Sequence, residues 1–133
     1  MKHQLEHCIG SRLRSLSRTA DGEIRKVLGE HKISESQMTI LFALHEMGRV
    51  DQGKVGEVLC LERSTVSRNN KLLEKQHLLS RSAEYRPEIE LTGRGLDLVK
   101  ALIAEWEKAM DVLVGQLQKD GINSLKMLES RRH

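Results

Sequence analysis

The sequence predicts a mainly α-helical chain carrying one small β-hairpin, and three observations lead there. Apolar residues recur every three or four positions through most of the 133 residues, the period of amphipathic helices. Aromatic residues make up 2% of the chain and charged residues 31%, which suits helices packed by Leu, Val and Ile better than a sheet built on aromatics. Two short runs, Leu78–Ala83 and Glu88–Leu91, read as strands joined by a turn of Glu84, Tyr85, Arg86 and Pro87, the only proline. A chain of this length forms one domain and buries roughly two-thirds of its unfolded surface.

The first helix is expected from about Gln4 to Leu28, with Leu5, Ile9, Leu13, Leu16, Ala20, Ile24 and Val27 on one stripe and Arg12, Arg14, Arg18, Arg25 and Lys26 on the other faces. Ser34 followed by Gln37 fits a capping box, opening a helix through Met38, Leu41, Leu44 and Met47 that Gly48 stops. Val50 is placed for a one-residue edge pairing with the hairpin. A third helix, Gln52 to Leu59, turns Val55, Val58 and Leu59 inward. The turn Cys60–Glu62 leads into a fourth, within Leu61–Leu73, and two short helices joined this tightly are a helix-turn-helix.

After the hairpin, Gly95 precedes a long helix with Leu96, Val99, Leu102, Ile103, Trp106, Met110, Leu113 and Leu117 on its stripe. Gly121 is expected to break it, and Ile122, Leu125 and Leu128 to begin a last short helix into Arg131 and Arg132. The stripes of the first and last helices are wider than a central module of roughly 60 residues can cover. They are therefore expected to pair with their counterparts in a second subunit. The organisation expected is a single domain over 1–133, with dimerisation helices at about 1–33 and 96–133 and a DNA-binding region at about 34–95.

The fourth helix carries the chemistry. At about 100° per residue, Val66, Asn70, Leu73 and His77 point one way, while Ser64, Arg68, Lys71 and Lys75 point the opposite way with Ser67 on the flank. From Arg63 to Arg81 there are five basic residues and one acidic, a local charge of +4 in a chain whose net charge is only +3. Hydroxyls beside long cations suit the DNA major groove: the cations reach phosphates or guanine edges, and the small side chains let the backbone come close. A basic helix leading into a hairpin with an Arg near its tip is a winged helix-turn-helix, whose wing can reach the adjacent minor groove.

With those residues laid out, the chain resembles the MarR (multiple antibiotic resistance regulator) family over nearly all its length. The resemblance rests on KVGEVLCLERSTVSR (54–68), LLEKQHLLSR (72–81) and EYRPEIELTGRG (84–95), the last including a Leu-Thr-x-x-Gly start of the long helix. It implies an obligate dimer with intertwined terminal helices. It also implies binding to near-palindromic operators, usually as a repressor, with release by a small phenolic ligand, an oxidant or a metal. The family's acidic-x-Arg wing signature falls on Glu84 and Arg86, where the carboxylate would steer the guanidinium. Three departures stand out: the wing is several residues shorter and has lost cations, Asn69 and Asn70 occupy positions that are commonly apolar, and Cys60 replaces the usual turn glycine. Asn70 falls on the inward face, where an amide either lacks partners, at about 1–3 kcal/mol, or hydrogen-bonds at the helix's edge.

The DNA-binding candidates are Arg63, Ser64, Thr65, Ser67, Arg68, Lys71, Lys75, Arg81 and Arg86, with Glu84 positioning the wing. Against them stand plainer roles: Arg68 in a salt bridge to Glu62, Arg86 in one to Glu84, and one of Ser64, Thr65 and Ser67 as a helix cap. Cys8 and Cys60 are redox candidates, weighed against a small buried hydrophobe for Cys8 and a free thiol for Cys60. Cys8 lies about two residues from the sensing cysteine of the family's hydroperoxide branch, and that branch's tyrosines are missing. His3 and His7 have a metal-compatible spacing but no evident third ligand, so neither a metal nor a cofactor is expected. Trp106 either lines an effector pocket or is core.

No nucleophile motif, phosphate loop or spaced acid pair supports an enzyme, and Ser64 and His77 lie too far apart along one helix to form a catalytic pair. No apolar run approaches a membrane span, and the start lacks a signal-peptide core, so a cytoplasmic protein is expected. The function expected is a homodimeric, sequence-specific DNA-binding transcriptional regulator, a repressor released by a small-molecule effector, an oxidant or another signal. Its partners would be double-stranded DNA and a second copy. The alternative is a protein-interaction module on a degenerate winged helix with little DNA affinity.

Overall fold

The computed structural model describes residues 1–132, except for the side chain of Leu5. His133 and the Leu5 side chain, expected on the first apolar stripe, lie outside the described residues. After a 3-10 turn at Leu5–His7, the order is α1 (Ile9–Leu28), α2 (Glu35–Met47), β1 (Val50–Asp51), α3 (Gln52–Leu59), α4 (Arg63–Lys75), β2 (Leu79–Arg81), β3 (Glu88–Leu91) and α5 (Gly93–Ser130). The chain divides into two compact units, residues 30–103 and residues 1–29 with 104–133.

In the 30–103 unit, Ser34 and Gln37 form the expected capping box. Gln37 N–H donates to Ser34 Oγ (3.2 Å) and Ser34 N–H to Gln37 Oε1 (3.1 Å). Gly48, at φ 71°, ends α2. Asp51 caps α3 through Gly53 N–H (2.7 Å). β3 lies between β1 and β2 in an antiparallel sheet, with Leu79 opposite Leu91, Arg81 opposite Ile89, and Val50 opposite Ile89 from the other side. Ile40, Leu41, Leu44, Val55, Leu73, Leu78, Leu79, Ile89 and Val99 are buried together as the core.

Thr92 and Gly95 start α5. Thr92 Oγ1 accepts from Gly95 N–H (3.0 Å) and donates to the His77 carbonyl (2.5 Å), while Thr92 N–H donates to the Leu78 carbonyl (3.2 Å). This strap joins the end of α4 to the beginning of α5, giving the Leu-Thr-x-x-Gly motif a mechanical sense.

Several expectations are corrected. The first helix does not run unbroken from Gln4: Cys8 is extended (φ −62°, ψ 109°) and α1 starts afresh at Ile9. Gly10 in its first turn, with no capping side chain upstream, disfavours continuation. Val58 is 54% exposed, because the eight-residue α3 is covered on the side of Val55 and Leu59 only. His77 does not continue the inward stripe of α4, which has ended at Lys75. His77 takes φ 60° and closes a Schellman motif in which Leu78 N–H bonds the Leu73 carbonyl (3.0 Å) and His77 N–H that of Glu74 (2.9 Å). β2 is shorter than the run that suggested it. The long helix breaks at Gln118 (φ 59°, ψ −179°), not at Gly121. Gly115 and Gly121 each weaken the helix around that point, and Gly121 allows a close approach, since a Cβ there would meet Leu117 Cβ at 3.0 Å.

In the terminal unit, Ile24, Val27 and Ala109 are buried, whereas Ile9, Leu13, Leu16, Val114, Met127 and Leu128 are each more than half exposed. Among the described residues, no helix is long and apolar enough to cross a membrane.

Candidate nucleic-acid interface

The α3–α4 turn is sharp despite lacking a glycine. Cys60 adopts the left-handed conformation itself (φ 56°, ψ 41°), with Leu61 N–H bonded to the Gly56 carbonyl (2.9 Å) and Cys60 N–H to that of Glu57 (3.3 Å). Gly56 lets the helices approach: a Cβ there would lie 3.2 Å from the Leu61 carbonyl and 3.3 Å from Val66 Cγ2. A left-handed residue with a Cβ costs roughly 1–2 kcal/mol. Cys60→Gly is therefore expected to stabilise the protein by about 1 kcal/mol, seen as a higher midpoint of thermal unfolding.

Val66, Asn70 and Leu73 anchor α4 to the interior. On its outer side, Ser64, Ser67, Arg68, Lys71, Leu72 and Lys75 share one open face, with Arg63 exposed and Thr65 half-buried beside it. The structure thus brings seven of the predicted residues onto one helix. None of the three hydroxyls caps it, a correction to the alternative weighed above: the N-cap is Glu62, which makes no side-chain cap. Among the described residues, Arg63, Arg68, Lys71 and Lys75 have no ion pair, so the Arg68–Glu62 bridge does not form. Among the described residues, these four cations and three hydroxyls make no ion pair or side-chain hydrogen bond.

The remaining candidates separate. Arg81 turns from this face toward Glu74 (3.9 Å) and is 28% exposed, because strand β2 follows directly on α4 and carries it back along the helix. The wing is anchored at its base, where Ser82 N–H bonds the Glu88 carbonyl (2.9 Å), Glu88 N–H bonds Ser82 Oγ (2.9 Å), and Gln52 N–H bonds the Pro87 carbonyl (3.0 Å). Beyond that base, Ala83, Glu84, Tyr85 and Arg86 are exposed. Glu84 makes no ion pair with Arg86 among the described residues, so the tip guanidinium is unrestrained.

Two contributors escaped the sequence reading. Arg49 pairs with Glu88 (3.2 Å) and Glu90 (3.5 Å), offsetting two carboxylates on the wing's return strand. Gln37, besides its capping role, donates through Nε2 to Asn69 Oδ1 (3.2 Å) and so tethers α2 to α4. No sequence signal marks Arg49, whereas a polar Asn at a commonly apolar position hinted at a bond for Asn69. Cys8 is half-buried rather than buried, and Cys60 is exposed. Among the described residues, His3 and His7 gather no third ligand.

A helix-turn-helix with an unpaired basic outer face, followed by a hairpin with a free Arg at its tip, defines the winged-helix class. Residues 33–84 match the model of the MarR family. The chain is similar to the PcaV transcriptional regulator from Streptomyces coelicolor in complex with its natural ligand (TM-score 0.83, 23% identity, covering 97% of this chain and 94% of that one). It is also similar to S. aureus MepR in a DNA complex (0.80, 22%, 92% and 94%) and to a MarR mutant from E. coli complexed with operator DNA (0.80, 14%, 97% and 98%). No curated protein matches the chain significantly.

Proposed function

We propose that the chain is a homodimeric, sequence-specific DNA-binding transcriptional regulator acting in the cytoplasm. The observation that carries this reading is the outer face of α4, whose cations and hydroxyls are without partners among the described residues, on a helix anchored by Val66, Asn70 and Leu73. MepR and MarR, which share the fold, are described in complexes with DNA. Dimerisation is supported by the apolar side chains left exposed along α1 and the distal half of α5, more than scattered surface residues warrant. Two copies would read half-sites about 34 Å apart, one helical turn of DNA.

Repression follows from occupying promoter DNA. Release follows from an effector that binds better to a dimer whose recognition helices are wrongly spaced. PcaV, a regulator of this fold, is described in complex with its natural ligand, which supports a ligand-responsive reading.

The test is selection of genomic fragments by the purified protein at two salt concentrations, followed by titration of the enriched site. A palindrome is expected, with affinity falling steeply as salt rises through counterion release. Arg68→Ala is expected to weaken specific binding by about 1–3 kcal/mol, seen in a gel-shift titration. Retention that is blind to sequence would defeat the specific-regulator reading. No retention would favour a protein-interaction module instead.

A further inference from the structure

We propose that Tyr85 is a DNA contact in its own right, packing its ring against the deoxyribose walls of the minor groove beside Arg86. The inference rests on the regulator reading above and adds to it a contact that does not depend on charge.

Tyr85 is the chain's only tyrosine and one of three aromatic residues. Phe42 and Trp106 are half-buried, whereas Tyr85 is 98% exposed. The largest apolar body on the wing therefore stands wholly in water at its tip. An exposed aromatic with one apolar end and one polar end is the side chain most often used at interfaces. The base of the tip is held in place: the Ser82–Glu88 pairing closes the loop and the Pro87 carbonyl accepts from Gln52 N–H at the start of α3, so the ring stands on a short projection anchored to the helix-turn-helix.

Charge alone would make this a weak wing. Arg81 is turned toward Glu74, and Glu84 stands beside Arg86, leaving the tip with one cation and one carboxylate. An aromatic between them supplies contact area that charge does not. The minor groove of B-DNA is about 6 Å wide, so a ring entering it meets the C–H edges of the sugars on both walls; other minor-groove proteins also bring apolar side chains into this groove, there as wedges between base steps. Such a contact displaces no counterion, and this separates it from Arg86.

Two measurements test it on the full-length protein with its selected DNA site. Tyr85→Ala is expected to weaken binding about tenfold, the effect of one well-packed aromatic contact, with the slope of log affinity against log salt unchanged. Tyr85→Phe should bind as the wild type does. Nitration, located by mass spectrometry, reports on this one tyrosine, and DNA should protect it. Unchanged affinity of Tyr85→Ala, a shallower salt slope, or equal nitration of free and bound protein would each overturn the proposal. A wild-type chain that binds no DNA would instead overturn the regulator reading on which it rests.

Discussion

Gly95→Ala is expected to destabilise the protein by about 3 kcal/mol, at the upper end for an overpacked site, read as a lower midpoint of urea unfolding. A Cβ at Gly95 would overlap the carbonyl oxygen of Leu78 and press on Leu91 Cδ2 at 3.3 Å. The carbonyl has nowhere to retreat: Leu78 is a core residue, and the same oxygen accepts Thr92 N–H at 3.2 Å. Helix propensity runs the other way, favouring Ala over Gly by about 1 kcal/mol inside a helix, so the steric term must win for the sign to be negative. Gly93 provides the control. It lies in the same first turn of α5, but a Cβ there would meet nothing within 4 Å, so Gly93→Ala is expected to stabilise by up to about 1 kcal/mol. Stabilisation by both alanines would show that α5 does not approach the Leu78 carbonyl this closely in solution.

The contrast between Gly93 and Gly95 also shows how much was legible in the residues. Local signals suffice where a short segment determines its own conformation. Ser34 and Gln37 form the capping box, α3 has its expected ends, and the two strands fall within the runs that suggested them. The inward face of α4 follows its 3.6-residue period at Val66, Asn70 and Leu73.

What failed depends on the third dimension. Periodicity registers no break when the apolar spacing continues across it, so the start at Ile9 was missed. A glycine is a good stop signal only if nothing nearby yields first, and Gln118 did. Charge counting grouped Arg81 with the cations of α4, but the chain reverses after Lys75 and sets it against Glu74. The hydroxyls of Ser64, Thr65 and Ser67 looked like caps because caps are local, yet Glu62 holds the N-cap position and they stay unbonded. In the candidate site, residue type and helical phase located the face, while the pairing state of each cation required the fold.

Asn70→Leu is expected to raise stability by about 1–3 kcal/mol and to leave DNA affinity unchanged. Asn70 is 0% exposed, and neither Oδ1 nor Nδ2 has a hydrogen-bond partner among the described residues, so the first of the two fates open to this amide is the one realised. Leucine has nearly the same shape, branched at Cγ, and would lie on the apolar face shared with Val66 and Leu73. Replacing the amide removes a desolvation penalty with little change of volume.

Asn69 is the natural contrast, since Gln37 Nε2 bonds its Oδ1 at 3.2 Å and an apolar residue there would break the tether between α2 and α4. Two neighbouring asparagines on one helix should therefore respond to leucine with opposite signs, which composition or propensity alone would not produce. Thermal unfolding measures the first effect and a gel-shift titration the second. A lower midpoint for Asn70→Leu would mean that the amide is hydrogen-bonded in solution. A higher midpoint with weaker DNA binding would mean that α4 has to yield slightly to enter the groove, and that the buried amide keeps it able to do so. The expected pair, higher stability with unchanged affinity, would assign the part of α4 in DNA reading to its outer face and not to its buried one.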